Sequence, residues 1–175
     1  MKNVAAVLAV ALAAAPLSAQ GLGGHLGLVG AKHRGDRTTG LGILAGLSYD
    51  FHLVGDEGDD IRAGVFYVQK GNDCCHNLHY VEIPVLYKFR LGEIPYVLMG
   101  PAAGYLFHYW DSKSVGRRFD LGAVALLGIE LRRFARRVVM FEVGVNYGLL
   151  DTTPGLRAGD RANRAVAVGV RLQNG

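Results

Sequence analysis

The chain has 175 residues, of which 50% are hydrophobic and 19% charged, and its formal net charge is +4. This length fits a single domain, and the high hydrophobic fraction excludes an intrinsically disordered chain. The mild positive charge, without a clustered basic face, argues against nucleic acid as a partner, and two cysteines are too few for a disulfide scaffold.

The first segment has the layout of a secretory signal peptide. Met1 and Lys2 form a short basic start, an uncharged run rich in Ala, Val and Leu covers 4–17, and the small residues Ser18 and Ala19 follow. The run is shorter than the roughly 20 apolar residues that a membrane-spanning helix needs. We therefore predict a signal peptide over 1–19, export of the chain, and one mature domain over 20–175.

The rest of the chain alternates with a period of two, as β-strands do because successive side chains point to opposite faces. In 119–132 the odd positions are all apolar, whereas the even positions include Asp120, Gly122, Gly128 and Glu130. Eight such segments are predicted, at about 21–32, 39–53, 61–70, 79–91, 94–110, 118–132, 137–149 and 164–173.

The prolines bear on two of these segments. Segment 94–110 is apolar at both odd and even positions, so its pattern alone would also allow a helix. Pro95 and Pro101 argue against one, because an interior proline costs a helix about 3 kcal/mol. Proline also donates no hydrogen bond to a β-ladder. We therefore expect a local bulge at Pro84 and at Pro101.

Alternation alone does not say which face is inside. A soluble lipocalin-like ligand carrier, which is one alternative, turns its apolar face inward, whereas a membrane barrel turns that face towards lipid. Aromatic residues gather towards the segment ends on the apolar face, as in an interfacial girdle, and glycines lie on the charged face, where a narrow eight-stranded lumen needs small residues. These glycines are Gly42, Gly46, Gly64, Gly122, Gly128, Gly144, Gly148 and Gly169. We predict an all-β fold: a single closed antiparallel up-and-down transmembrane β-barrel of eight strands.

This orientation places charges of both signs in the lumen. Because buried charges are tolerated only when they are paired, we predict ion pairs that close the barrel, and no conducting path, since eight strands leave no aqueous pore. The predicted lumen charge network is Arg62, Glu82, Lys88, Arg90, Asp120, Glu130, Glu142 and Arg171, with Asp50 and Arg132 on the same face.

Five stretches resemble the PorT-type family of outer-membrane β-barrels. They are FYVQKG at 66–71, YVEIPVLYKFRL at 80–91, PYVLMGPAAGYLF at 95–107, FDLGAVALLGIEL at 119–131 and FEVGVNYGLLDT at 141–152, and the resemblance covers roughly 21–173. It implies an integral eight-stranded barrel in the cell outer membrane of a Gram-negative-type bacterium. The family's members mostly lack a known activity, and its namesake is associated with protein secretion. The chain departs from many such barrels at its end, Leu172-Gln173-Asn174-Gly175, which has no terminal aromatic.

The loops suggest partners. With the N-terminus in the periplasm, external loops fall at about 33–38, 71–78, 111–117 and 150–163, with Lys70 at their edge, and an acidic periplasmic turn at 54–60 contains Asp60. Besides outer-membrane lipid, we expect lipopolysaccharide as a partner, because basic side chains form charge-assisted hydrogen bonds with phosphates. The expected contacts are Arg34, Arg37, Arg117 and Arg118. A basic periplasmic turn suits an acidic periplasmic or secretion-machinery protein; its arginines are Arg132, Arg133, Arg136 and Arg137.

Two groups of residues could carry chemistry. The run Cys74-Cys75-His76-Asn77-Leu78-His79 contains metal-ligand types, but adjacent cysteines do not easily bind one ion together with His79, and an exported loop favours a disulfide at least as much. His108, Ser112, Ser114 and Asp120 flank one loop and suit a lipid-modifying or hydrolytic enzyme only if they share a triad geometry. We predict no catalysis, no metal and no cofactor.

Overall fold

The computed structural model describes residues 21–33, 40–53, 60–72, 76–108, 118–134, 137–149 and 163–174, so the predicted signal peptide lies outside the described residues. The strands are β1 (Leu22–His33), β2 (Gly40–His52), β3 (Asp60–Asn72), β4 (His76–Arg90), β5 (Pro95–His108), β6 (Phe119–Phe134), β7 (Arg137–Gly148) and β8 (Asn163–Asn174). Within this part of the chain, no helix is long and apolar enough to cross a membrane.

The eight strands form one closed barrel. Each strand pairs antiparallel with the strands next to it in sequence, and β8 returns to pair with β1 along a ladder from Gly23↔Gln173 to His33↔Asn163. Closure leaves no sheet edge with unpaired backbone groups, which lipid could not satisfy. The predicted eight-stranded antiparallel barrel is confirmed.

The apolar face of each strand points outward. Leu28, Leu41 and Phe119 expose 65%, 79% and 63% of their surface, which would be costly in water for so many large apolar side chains. The outer surface is therefore made for lipid, and the lipocalin-like arrangement, with the apolar face inward, is excluded. Aromatic side chains exposed on this wall include Tyr49, Phe51, Phe89, Tyr105, Phe107, Phe119, Phe141 and Tyr147.

The lumen is packed with apolar as well as charged side chains. Large side chains such as Tyr80, Tyr96 and Leu98 are 1% exposed or less. They belong to two apolar clusters, one made of Val29, Ala31, Phe66, Val68, Leu78, Tyr80, Leu106 and Ala165, and one made of Leu86, Tyr96, Leu98, Val138 and Met140. The interior of this barrel is thus a core, and charge alone does not fill it.

The expected bulges at Pro84 and Pro101 were wrong. Pro84 pairs with Ala102, and Pro101 pairs with Ala123, without any shift in register. A proline removes only its own ladder hydrogen bond, and the strand neighbours on either side hold the register. The register of the β4–β5 ladder shifts elsewhere, between His79 and Tyr80.

The two ends of the barrel differ in their connections. The end with Leu22 and Asn174, which we call the terminal end, carries connections 53–59, 91–94 and 135–136. The opposite end, which we call the loop end, carries connections 34–39, 73–75, 109–118 and 149–162. The two longest connections, 109–118 and 149–162, are both at the loop end, and outer-membrane barrels carry their longer loops on the extracellular side.

Lumen glycines make room for the large interior side chains, and this can be tested at Gly128. A Cβ atom at Gly128 would overlap the ring of Tyr96, so Gly128→Val should lower the free energy of unfolding by about 1–3 kcal/mol, the usual cost of overpacking. Urea unfolding of the barrel in lipid vesicles measures this. Ala123→Val, on the exposed outer wall of the same strand, is the matched control, and equal stability of the two variants would contradict the packed lumen.

Candidate functional site

The centre of the lumen is organised around Asp50 of β2. Arg62 of β3 donates from Nε to Asp50 Oδ1 at 2.6 Å and from Nη2 to Oδ2 at 3.1 Å. Arg171 of β8 donates from Nη1 to Oδ2 at 2.9 Å and from Nη2 to Oδ1 at 3.1 Å. One carboxylate therefore binds two guanidinium groups through both of its oxygens, the geometry in which charge-assisted hydrogen bonds are strong.

Glu142 of β7 extends this arrangement across the barrel. Arg62 Nη1 donates to Glu142 Oε1, and Tyr96 Oη donates to the same oxygen at 2.6 Å. His25 Nδ1 lies 3.5 Å from the other oxygen, Oε2, while its Nε2 shares a hydrogen bond of 2.6 Å with Ser48 Oγ. Arg62 of β3 thus connects a carboxylate of the neighbouring strand β2 with a carboxylate of β7, the strand opposite β3 in the ring.

Lys88 and Asp60 complete the set. Lys88 Nζ lies 3.6 Å from Asp50 Oδ2, 3.7 Å from Asp60 Oδ2 and 4.7 Å from the centre of the Tyr96 ring. The three carboxylates and three cations balance in charge, which is the condition under which buried ions are tolerated. The central charge cluster, as we call it, consists of Asp50, Asp60, Arg62, Lys88, Glu142 and Arg171.

A separate ion pair lies nearer the loop end. Lys70 Nζ is 2.5 Å from Glu82 Oε1 and 4.6 Å from the centre of the Tyr80 ring. Asn146 donates from Nδ2 to Glu82 Oε2 at 3.1 Å. The aromatic ring and the carboxylate together compensate the cost of burying the ammonium group of Lys70, a residue that is 2% exposed.

Two expectations from the sequence need correction here. Lys70 does not lie at the outer loop edge but inside the lumen, and Asp60 belongs to β3, buried and hydrogen-bonded to His52, and not to a periplasmic turn. Both have the parity of Arg62, so the period of two, followed to the ends of β3, points them into the lumen. The acidic residues of the rest of that turn lie outside the described residues.

The remaining predicted network residues occupy different places. Asp120 is buried at the loop end of β6, at 5% exposure. Arg90 and Glu130 form a pair of 3.6 Å at the mouth of the terminal end, where their side chains are 36% and 23% exposed. The structure thus brings four residues of the predicted network into the central charge cluster, namely Arg62, Lys88, Glu142 and Arg171, together with Asp50, which was predicted on the same face. It places Glu82 in the Lys70 pair and leaves Arg90 and Glu130 at the mouth.

A cavity of about 90 Å³ borders both charge groups. Apolar residues such as Leu44 and Phe66 form most of its wall, and Glu82, Glu142 and Asn146 add polar atoms. A cavity of this volume has room for a few water molecules.

The candidate catalytic residues do not come together in the described part of the chain. His108 is exposed and contacts His79 on the outer wall, whereas Asp120 is buried in the lumen, so the barrel wall separates them. Ser112, Ser114, Cys74 and Cys75 lie outside the described residues. No group of three or more His, Cys, Asp or Glu suited to a metal occurs among the described residues.

Removing the charge of Asp50 tests the central charge cluster. Asp50→Asn leaves Arg62 and Arg171 without their shared carboxylate, and breaking a buried pair in this way costs about 3–5 kcal/mol. Urea unfolding in lipid vesicles should show that loss, while Glu130→Gln, at the partly exposed mouth, should cost less than about 1 kcal/mol. Equal effects of the two substitutions would mean that the central charge cluster does not stabilise the barrel.

Comparison with known proteins places the fold. No known protein family and no curated protein matches the sequence. Among solved structures, Neisserial surface protein A is 14% identical with a TM-score of 0.55, over 87% of this chain and 96% of that one. The outer membrane enzyme PagL is also 14% identical with a TM-score of 0.55, over 85% of this chain and 97% of that one. At such identities the likeness establishes the fold alone, and that fold is the small eight-stranded outer-membrane β-barrel.

Proposed function

We propose that this chain is an integral outer-membrane protein with a structural or interaction role, and that it is neither an enzyme nor a pore. The observation that carries the proposal is the filled lumen inside an apolar wall. The central charge cluster, the Lys70–Glu82 pair and two apolar clusters occupy the interior. A barrel so filled has its two ends and its outer wall as the surfaces that meet partners.

We also propose the route and the orientation. A signal peptide over 1–19 delivers the chain for export, the terminal end faces the periplasm, and the loop end faces outward. The apolar wall and the lengths of the connections support this proposal.

At the loop end we propose contact with lipopolysaccharide phosphates. Of the four arginines expected from the sequence, Arg118 is exposed beside the start of β6, while the other three lie outside the described residues. Arg164 adds a described cation on the outer wall: it is exposed and lies 5.2 Å from the centre of the Tyr147 ring. Position 32 stands opposite Arg164 on β1 and is a lysine. Cations beside interfacial aromatics sit at the depth of lipid headgroups.

At the terminal end we propose an acidic periplasmic or secretion-machinery protein as a partner. Arg137 is exposed there at the start of β7 and pairs with position 134 across a short turn.

We also propose that the chain is related to the PorT-type barrels. The sequence motifs support this relationship, and the namesake's association with secretion makes a periplasmic partner reasonable.

The first test is location, closure and conductance. The native chain should fractionate with outer membranes, migrate faster on a denaturing gel when unboiled, and produce no stable channels in planar lipid bilayers, because the lumen is filled. A soluble product that is insensitive to boiling would overturn the membrane assignment. Steady single-channel currents would overturn the closed lumen.

The second test separates lipid contact at the two ends. In the double variant Arg118→Ala, Arg164→Ala, the affinity of the barrel in nanodiscs for lipopolysaccharide should fall. The expected loss is about 1 kcal/mol, or about fivefold, for each arginine. The double variant with Ala at Arg90 and Arg137 removes the same charge from the terminal end and should leave that affinity unchanged. Equal losses in both variants would point to a general charge effect instead of a site.

The third test concerns catalysis. The purified barrel should release no fatty acid from lipopolysaccharide or phospholipid vesicles. Hydrolysis that disappears in Ser112→Ala or Ser114→Ala would overturn the non-catalytic proposal and place the active site at the loop end.

A further inference from the structure

A β-bulge at the loop end of β5 brings two histidines onto one face of the wall. His79 pairs with His108, but the next pair is Tyr80↔Leu106, so Phe107 is an extra residue in β5. In β5 the buried positions are even-numbered, such as Ala102, Gly104 and Leu106, yet His108 is exposed. The bulge therefore turns His108 to the outer wall beside His79. Bulges commonly re-aim a side chain in this way.

His79 is held firmly on that wall. It is 6% exposed, and its Nδ1 shares a hydrogen bond of 2.6 Å with Tyr67 Oη. Its ring also contacts the Phe107 ring, with centres 6.2 Å apart. Because Tyr67 engages Nδ1, the second nitrogen, Nε2, is the one that His79 can offer to a ligand. Metal-binding histidines use this arrangement, in which a partner on the other nitrogen fixes the ring.

The spacing of the two rings suits one shared ion. The ring centres of His79 and His108 lie 5.3 Å apart, with the ring planes at 61°. A metal–nitrogen bond of about 2.1 Å puts the ion about 3.2 Å from each ring centre, so a tetrahedral angle separates the two centres by about 5 Å. The observed distance between the ring centres matches the distance expected for two histidines that share one ion.

We propose that His79 and His108 bind one divalent late first-row metal ion, such as Cu²⁺ or Zn²⁺, on the outer wall at the loop end. Imidazole is a preferred ligand for these ions. Two protein nitrogens hold the ion, water fills the remaining positions, and Tyr67 acts as a positioning residue through Nδ1 of His79. The site does not use Cys74 or Cys75. It adds a binding function that the sequence motif alone did not support.

Copper titration of the full-length barrel in detergent micelles, without a histidine tag, tests this site. We expect one Cu²⁺ per chain, with electron paramagnetic resonance showing two coordinated nitrogens. His108→Asn should lower the affinity more than tenfold and leave a single nitrogen. Tyr67→Phe should lower the affinity about tenfold or more with both nitrogens retained, as loss of a partner to a ligand histidine does.

Two controls make the result decisive. His52→Asn removes a histidine at the terminal end, and a double Cys74→Ser, Cys75→Ser variant removes the thiols; both should keep the wild-type affinity. Unchanged affinity in His108→Asn, or a loss confined to the cysteine variant, would overturn the proposal. A heat-modifiability gel identifies variants that fail to fold, and His79→Gln repeats the test from the other ligand if His108→Asn is among them.

Discussion

The structure depends on one constraint: lipid offers no hydrogen bonds to a polypeptide backbone. The β1–β8 ladder meets it by closing the sheet, so that the wall has no unpaired edge. Closure with eight strands then fixes a narrow lumen, and the narrow lumen requires small residues wherever a large side chain crosses it. Gly128 opposite Tyr96 and Gly46 opposite Phe66 are such positions.

The interior charges follow from the same geometry. Arg62, at the centre, contacts Asp50 from the neighbouring strand and Glu142 from the far wall. The central charge cluster and the side chains hydrogen-bonded to it come from β1, β2, β3, β4, β5, β7 and β8. The remaining strand, β6, contributes Gly128, which leaves space for the Tyr96 ring. With ions, rings and aliphatic side chains filling the lumen, partners are left to meet the ends and the outer wall. The proposed lipid, protein and metal contacts all lie there.

Much of the site was readable from parity. Arg62, Lys88, Glu142 and Arg171 share the face that the alternating pattern assigned to the lumen, and the structure places them within one cluster. By the alternating pattern Lys70 also lies on the lumen face, but it was assigned to the edge of an external loop because a predicted loop follows it directly. Tyr96 and Leu98 carried no signal, because β5 is apolar on both faces and a period of two then has nothing to distinguish.

The sequence by itself determined the number of strands, their faces and the closed membrane barrel, because these follow from local alternation and from the rule that lipid tolerates no open sheet. Only the tertiary structure decided which charges meet. Arg62 and Glu142 are 80 residues apart, and Asp50 and Arg171 are 121 apart, so barrel closure and register, and not sequence spacing, set their contacts. The bulge that pairs His79 with His108 is likewise a matter of register, since one extra residue in β5 reverses the face that alternation assigns to His108.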